Sequence, residues 1–349
     1  MHESLDRILR SFDYALPQSL IAQKPAHPRD HARLMIVPKA GGALRHEIFS
    51  NIGSFLPPRS LIVINDTKVI PARLMLKKKT GGAVQILYLD HHGASVRAMV
   101  SPGLKPGTDL YLGKRIVFTV MGSEGKRYDL KAHMSPGRII PLFEQKGDMP
   151  IPPYIKHSPL NKTQMKQAYQ TVFARQNGSV AAPTASLHFT KRLLKELKRQ
   201  GHEIVHVTLH VNLGTFAPLE YENLKAKRLH EERYYIDQST AKRLTQAIAE
   251  RRPIIACGTT VTRTLESAAH EAHGAMTIEP GWHTTDLFIA PGYKFRAITG
   301  LMTNFHLPRS SLLMLVAALA GKKRILDAYR KAVARRYRFY SFGDAMLIF

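Results

Sequence analysis

Gly178-Ser179-Val180-Ala181-Ala182-Pro183-Thr184-Ala185-Ser186-Leu187-His188-Phe189-Thr190 gathers small, hydroxyl-bearing and imidazole side chains in a span with neither helical nor strand periodicity. Such a composition either shapes backbone around a ligand or makes a glycine–proline loop entering a helix. Thr190 is a helix N-cap ahead of Leu193, Leu194 and Leu197, and Gly201 ends that helix. Val205 to Val211 reads as a strand. Ser239 caps a second helix carrying Leu244, Ala247 and Ile248, and Pro253-Ile254-Ile255-Ala256 is another strand. This alternation predicts α/β layers after residue 180.

Upstream the pattern differs. Residues 60 to 150 are rich in short β-branched runs: Leu61 to Ile64, Val84 to Leu89, Ser95 to Val100, Arg115 to Val120, and the alternating Lys126 to His133. Gly81-Gly82, Pro102-Gly103, Pro106-Gly107, Gly122 and Gly137 punctuate them at turn-like intervals, which predicts a small β-barrel or sandwich. The β module is therefore inserted into, or appended to, an α/β domain.

Lys and Arg number 51 against 26 acidic residues, a formal net charge of +25. Such an excess calls for a polyanion, nucleic acid ahead of an anionic membrane, and says nothing about fold. Cys257 is the only cysteine, which leaves no internal disulfide or thiolate zinc cluster and fits a reducing cytoplasm. Glu3, Asp6, Arg7 and Arg10 interrupt the first ten residues, so no signal-peptide core is expected. The apolar run Leu312 to Ala320 is too short for a bilayer and reads as a buried helix.

Common chemistries lack their signatures. There is no G-x-x-x-x-G-K-[ST], no G-x-G-x-x-G and no G-x-S-x-G, and His270-Glu271-Ala272-His273 has the wrong spacing for a helical zinc pair. The missing glycine loop also disfavours an ordinary S-adenosylmethionine methyltransferase. No metal site is expected.

Two later segments repeat the style of the first: Thr208-Leu-His-Val-Asn-Leu-Gly-Thr-Phe-Ala-Pro218 and Thr303-Asn-Phe-His-Leu-Pro-Arg-Ser310. With Arg29-Asp30, Asn65-Asp-Thr-Lys-Val-Ile-Pro-Ala-Arg-Leu74, Pro150 to Ile155, Gly258 to Glu266, Phe288 to Tyr293 and Tyr337 to Met346, they closely resemble the S-adenosylmethionine:tRNA ribosyltransferase-isomerases of queuosine biosynthesis. The matched blocks run in family order from near residue 10 to the end. The resemblance implies a six-stranded α/β barrel (residues 1–66 and 151–349) interrupted by an antiparallel β-barrel (residues 67–150).

It also implies a reaction. The ribosyl group of S-adenosylmethionine passes to 7-aminomethyl-7-deazaguanine at the wobble position of a GUN-anticodon tRNA, giving epoxyqueuosine and releasing adenine and methionine. S-adenosylmethionine is then a consumed substrate, and no cofactor, membrane or obligate protein partner is implied. The sulfonium acidifies the C5′ protons, so the site needs a base, a donor to departing adenine and donors to developing oxyanions. His188, His210 and His306 are the base or acid candidates, because imidazole titrates near neutrality; each, taken singly, is more often a hydrogen-bonded structural histidine.

Glu232, in the family's H-x-E pattern with His230, is a further candidate base. Thr184, Gly214, Thr215, Thr303 and Asn304 are candidates to bind ribose or adenine, against local turn and cap bonding. Phe305 is a candidate to face the sulfonium or to stack a splayed base, although most aromatics of this kind are core. Arg263 suits the methionine carboxylate or an RNA phosphate, or else a salt bridge to Glu266. Lys77, Lys78 and Lys79, and Arg335, Arg336 and Arg338, are candidate phosphate contacts; the ordinary alternative is a solvated face.

The sequence departs from the family pattern at Ser186 and Asn212, where glycine is usual, at Cys257, where valine is usual, at Thr299, where aspartate is, and at Arg233, which breaks an aromatic pair. An RNA methyltransferase of unusual fold and a non-catalytic RNA-binding protein are the competing classes.

Overall fold

The structure, a computed structural model, describes residues 2–211, 221–272 and 274–349. Its centre is a nine-stranded sheet in the order Gly281–Leu287, Arg228–Ile236, Glu203–Leu209, Leu61–Asn65, Ile254–Cys257, Gly300–Asn304, Ala345–Ile348, Arg33–Val37, Arg45–Ile48. The four strands from Glu203–Leu209 to Gly300–Asn304 are parallel neighbours. Ala345–Ile348 runs antiparallel to Gly300–Asn304 and parallel to Arg33–Val37.

Strands buried on both faces read as unbroken apolar runs rather than alternating ones, which is why Leu61-Ile62-Val63-Ile64 and Ile254-Ile255-Ala256-Cys257 are buried throughout. Successive side chains still go to opposite faces. Leu61, Val63, Ile254, Ala256 and Leu301 join a core with the helices Gln238–Ala249, Thr259–Ala268, Ser311–Ala320 and Lys322–Ala334. Ile62, Ile64, Ile255, Cys257 and Met302 join a second with Phe49, Ile52, Leu193 and Leu197. The run Leu312 to Ala320 is indeed helical and largely buried (Ser311–Ala320, capped by Ser310). Among the described residues no helix is long and apolar enough to cross a membrane.

The inserted module is a closed antiparallel barrel in the order Arg127–Ala132, Ser95–Ser101, Ala83–His92, Arg73–Lys78, Asp109–Leu112, Arg115–Glu124. Its strands alternate buried and exposed positions, most cleanly in Arg127–Ala132. Its own core includes Leu74, Leu76, Val84, Ile86, Phe118 and Leu130, with Phe143 of the helix Ile139–Lys146 packed in. Closure leaves no free strand edge.

Three sequence expectations need correction. Leu61–Asn65, grouped by composition with the β module although the resemblance set it within residues 1–66 of the α/β domain, is a central strand of the α/β sheet, and the barrel strands begin only at Arg73. Asp237, not Ser239, caps the helix Gln238–Ala249: its carboxylate accepts from the Thr240 backbone N–H at 2.8 Å and from the Ser239 hydroxyl at 2.8 Å. The strand expected over Val205 to Val211 spans Glu203–Leu209, leaving His210 just beyond its end.

Candidate active site

In open α/β sheets, ligands bind outside the carboxyl ends of parallel strands. Here Asn65, Leu209, Cys257 and Asn304 end the four parallel strands at one edge, and the described parts of the segments singled out in the sequence collect there. Asn65 ties two strand ends together. Its amide donates to the Leu209 carbonyl at 3.0 Å, while its oxygen accepts from the backbone N–H of Leu209 and of Thr67, each at 3.1 Å.

Gly178-to-Thr190 supplies His188 from the short 3-10 turn Thr184–His188, opened by the half-buried Thr184. The Thr190 hydroxyl caps the next helix by accepting from Leu193 N–H at 3.1 Å and itself donates to the buried Asp30 at 2.8 Å. His188 Nε2 lies 2.9 Å from Asn304 Oδ1. The Asn304 amide nitrogen donates to the carbonyls of Tyr340 at 2.8 Å and Ser341 at 3.2 Å. That fixes the Asn304 oxygen as acceptor, so neutral His188 carries its proton on Nε2 and Nδ1 is the basic atom. The imidazole is buried and its ring centroid stands 4.9 Å from that of Phe49. Burial pushes its pKa down to about 4.

His306 Nε2 lies 2.9 Å from the Thr303 hydroxyl. Its backbone is held by the Tyr329 hydroxyl, 3.0 Å from its N–H, and by the Tyr14 hydroxyl, which donates to its carbonyl. Burial lowers its pKa to about 3. Thr303 and Asn304 are consecutive strand residues and so project to opposite faces; His306 and His188 are therefore gripped from opposite sides of one strand.

His210 Nδ1 lies 2.8 Å from the Thr67 hydroxyl. Gly178 permits this placement: its φ is +141°, and a Cβ there would come within 3.0 Å of the imidazole. Burial, then the nearby Arg233, lowers the His210 pKa to about 4. The ring stacks on Trp282 with centroids 5.8 Å apart and planes 28° apart.

The remaining candidates divide. Phe305 is completely buried, its ring 5.2 Å from Tyr329, 5.4 Å from Tyr337 and 5.1 Å from Phe339. The aromatic cluster explains it as core, which corrects its assignment to the sulfonium. Arg263 does not pair with Glu266. It forms a buried ion pair with Glu232 and donates to the carbonyls of Leu287 at 2.9 Å and Thr285 at 3.3 Å. Glu266 instead accepts from the backbone N–H groups of Arg296, Ala297 and Ile298. Gly214 and Thr215 lie outside the described residues, as does Asn212.

Lys77 and Lys79 are exposed on the barrel, with Lys78 half-buried between them, and Arg335 and Arg336 are exposed after the helix Lys322–Ala334. Arg338 differs: its Nη2 is 2.9 Å from the buried carboxylate of Asp344, whose other oxygen accepts from the Arg338 backbone N–H at 2.8 Å. Its charge is committed inside the fold, because a carboxylate buried there needs a paired cation. Among the described residues no three His, Cys, Asp or Glu side chains are grouped to hold a metal ion.

Sequence reasoning gave no role to Thr67, within the stretch Asn65 to Leu74, or to Trp282. A lone tryptophan beside a histidine-bearing strand is the signal that could have found the second.

The chain is similar to known proteins along nearly its whole length. A family model described as queuosine biosynthesis protein matches residues 9–348. Proteins named S-adenosylmethionine:tRNA ribosyltransferase-isomerase are 46% identical in Moorella thermoacetica and 44% in Carboxydothermus hydrogenoformans, each match covering 97% of this chain and 99% of the relative. The crystal structure of an S-adenosylmethionine tRNA ribosyltransferase from Thermotoga maritima aligns with a TM-score of 0.55 at 35% identity, covering 97% of this chain and 100% of that one. The chain belongs to the queuosine biosynthesis protein family.

Proposed function

We propose that the carboxyl edge of the sheet is where this chain, an S-adenosylmethionine:tRNA ribosyltransferase-isomerase of queuosine biosynthesis, does its chemistry. Its substrates are S-adenosylmethionine and tRNA. The observation that carries the site is that His188, His210 and His306 all lie at the carboxyl edge of the parallel strands, each held by a hydroxyl or amide and each kept neutral by burial.

A neutral imidazole accepts a proton without first losing one. Its depressed pKa makes the resulting imidazolium a strong acid, suited to passing the proton on. His188 is our choice of base for the C5′ proton beside the sulfonium, because the Asn304 amide leaves Nδ1 as the basic atom. In this reading the Thr303–His306 pair donates to departing adenine, and the Thr67–His210 pair to a developing oxyanion on the ribose. Thr184 opens the same turn and is a candidate contact for the nucleoside. Glu232 and Arg263 hold one another and, in this reading, brace the sheet rather than touch substrate.

The finer assignments follow from the resemblance and remain part of the proposal: a GUN anticodon carrying 7-aminomethyl-7-deazaguanine, epoxyqueuosine as product, no cofactor beyond the consumed S-adenosylmethionine, no obligate protein partner, and a cytoplasmic setting. The modified base sits in a single-stranded loop, so it enters a pocket without melting a duplex. The test is product analysis with precursor-bearing tRNA. Adenine and methionine should appear together. S-adenosylhomocysteine with methylated tRNA would make the protein a methyltransferase, and tRNA binding without turnover would make it a binding protein.

A further inference from the structure

The chain has one tryptophan, and the structure leaves it half in solvent: Trp282 is 50% exposed. It lies on the strand Gly281–Leu287, paired antiparallel with Arg228–Ile236 so that Trp282 faces Tyr235 and Thr284 faces Arg233. One side of this pair is buried through Glu232, Tyr234 and Thr285. The other side presents Arg233, Tyr235, Trp282 and Thr284 outward. Trp282 stands 5.1 Å from the Tyr235 ring, and the Arg233 guanidinium carbon is 5.1 Å from the centroid of the indole. The indole also stacks on His210, at the carboxyl edge of the sheet.

An exposed indole flanked by a second ring and a guanidinium, on a chain of net charge +25, is an arrangement for stacking unpaired bases. We propose that Trp282, with Arg233 and Tyr235, is a stacking platform for an unpaired nucleobase of the tRNA loop, and that it positions the loop beside His210. Trp282 is a positioning residue here, acting on the RNA rather than on the reacting atoms. Arg233 adds a guanidinium plane and a cation for the adjoining phosphate. The inference rests on the proposed function, in which the RNA is presented at this edge of the sheet.

Because Trp282 is the only tryptophan, its fluorescence reports this contact directly. An anticodon stem-loop RNA should quench it, whereas a blunt RNA duplex of equal charge should not. W282A should bind the stem-loop about five- to a hundredfold more weakly, the usual effect of removing one base-stacking ring. W282F should stay within about threefold of the wild type, since phenyl still offers a face.

Equal quenching by loop and duplex, or wild-type stem-loop affinity in W282A, would overturn the platform. If W282A does not fold, the wild-type quenching comparison and W282F decide alone. Failure of the functional reading is a separate outcome: wild-type protein quenched by the loop yet releasing no adenine from S-adenosylmethionine with precursor tRNA.

Discussion

Ser186 and Cys257 touch inside the protein, with Ser186 Oγ 3.4 Å from Cys257 Sγ and both residues sealed from solvent. These are the positions where the family pattern has glycine and valine, so two departures from that pattern meet. Ser186 does not need the left-handed conformation that would have made it costly: its φ is not among the positive ones. Burial holds the thiol protonated, with its pKa raised to about 12, so Cys257 is a packing and hydrogen-bonding residue rather than a nucleophile.

The pair should behave as a unit in unfolding experiments. Cys257→Val alone strands a buried hydroxyl and should cost about 1–3 kcal/mol. Adding Ser186→Gly should return part of that loss, with a coupling of at least about 0.5 kcal/mol in urea denaturation. Additive effects of the two changes would mean that the Ser186–Cys257 hydrogen bond contributes nothing.

Glu232 and Arg263 should show the opposite asymmetry, because each leaves the other charged and buried when removed. Glu232→Gln or Arg263→Met should each destabilise by about 3–5 kcal/mol. Turnover of the remaining folded protein should fall much less. A Glu232→Gln variant that folds normally but loses about 10²–10⁴-fold in turnover would make Glu232 the proton acceptor after all.

Acid should act through the histidines. His188 titrates at about 4 when folded against 6.5 ordinarily. Between those values the unfolded chain binds the extra proton, so stability rises with pH across that window and is lost as pH falls from about 6.5 towards 4. The shift corresponds to about 3 kcal/mol for His188. His188→Gln should flatten this stretch of the urea-midpoint profile.

The same group should set the acid limb of turnover. Asn304→Asp places a carboxylate against Nε2, raises the His188 pKa and should move that limb towards neutral pH. His188→Ala should lower turnover about 10²–10⁴-fold with tRNA affinity little changed. An unmoved limb in Asn304→Asp would remove His188 from the proton transfer.

Local signals make much of this molecule legible. Apolar runs such as Ile254 to Cys257 and the Thr190 cap are local features, and each marks its element. The barrel is visible because its turns carry glycine and proline. By composition alone Leu61–Asn65 falls with the wrong module, because its β-branched run looks the same in an antiparallel barrel as in a parallel sheet; the resemblance, which set it within residues 1–66, placed it correctly. The site histidines are visible as residues, but their grips are not. Thr67 meets His210, and Asn304 meets His188, across 143 and 116 residues of chain. Phe305 and Arg263 mislead for the same reason, since an aromatic cluster and a buried ion pair exist only once distant strands pair.

The two basic clusters should now separate by experiment. Each phosphate neutralised on a single strand contributes about −0.7 to the slope of log affinity against log salt, so engaging roughly 4–6 phosphates gives a slope near −3 to −4. Neutralising Lys77, Lys78 and Lys79 removes charges from the barrel surface without touching a buried partner. It should flatten the slope by about 0.7 for each phosphate no longer neutralised and leave S-adenosylmethionine binding unchanged. Arg335→Gln with Arg336→Gln should likewise spare the fold, because both side chains are exposed. Arg338→Gln should instead lower the unfolding midpoint, since it removes the cation paired with the buried Asp344 carboxylate. A lysine triple variant with the wild-type slope and affinity would show that those charges face only water, and a fully stable Arg338→Gln would leave Arg338 free to bind phosphate.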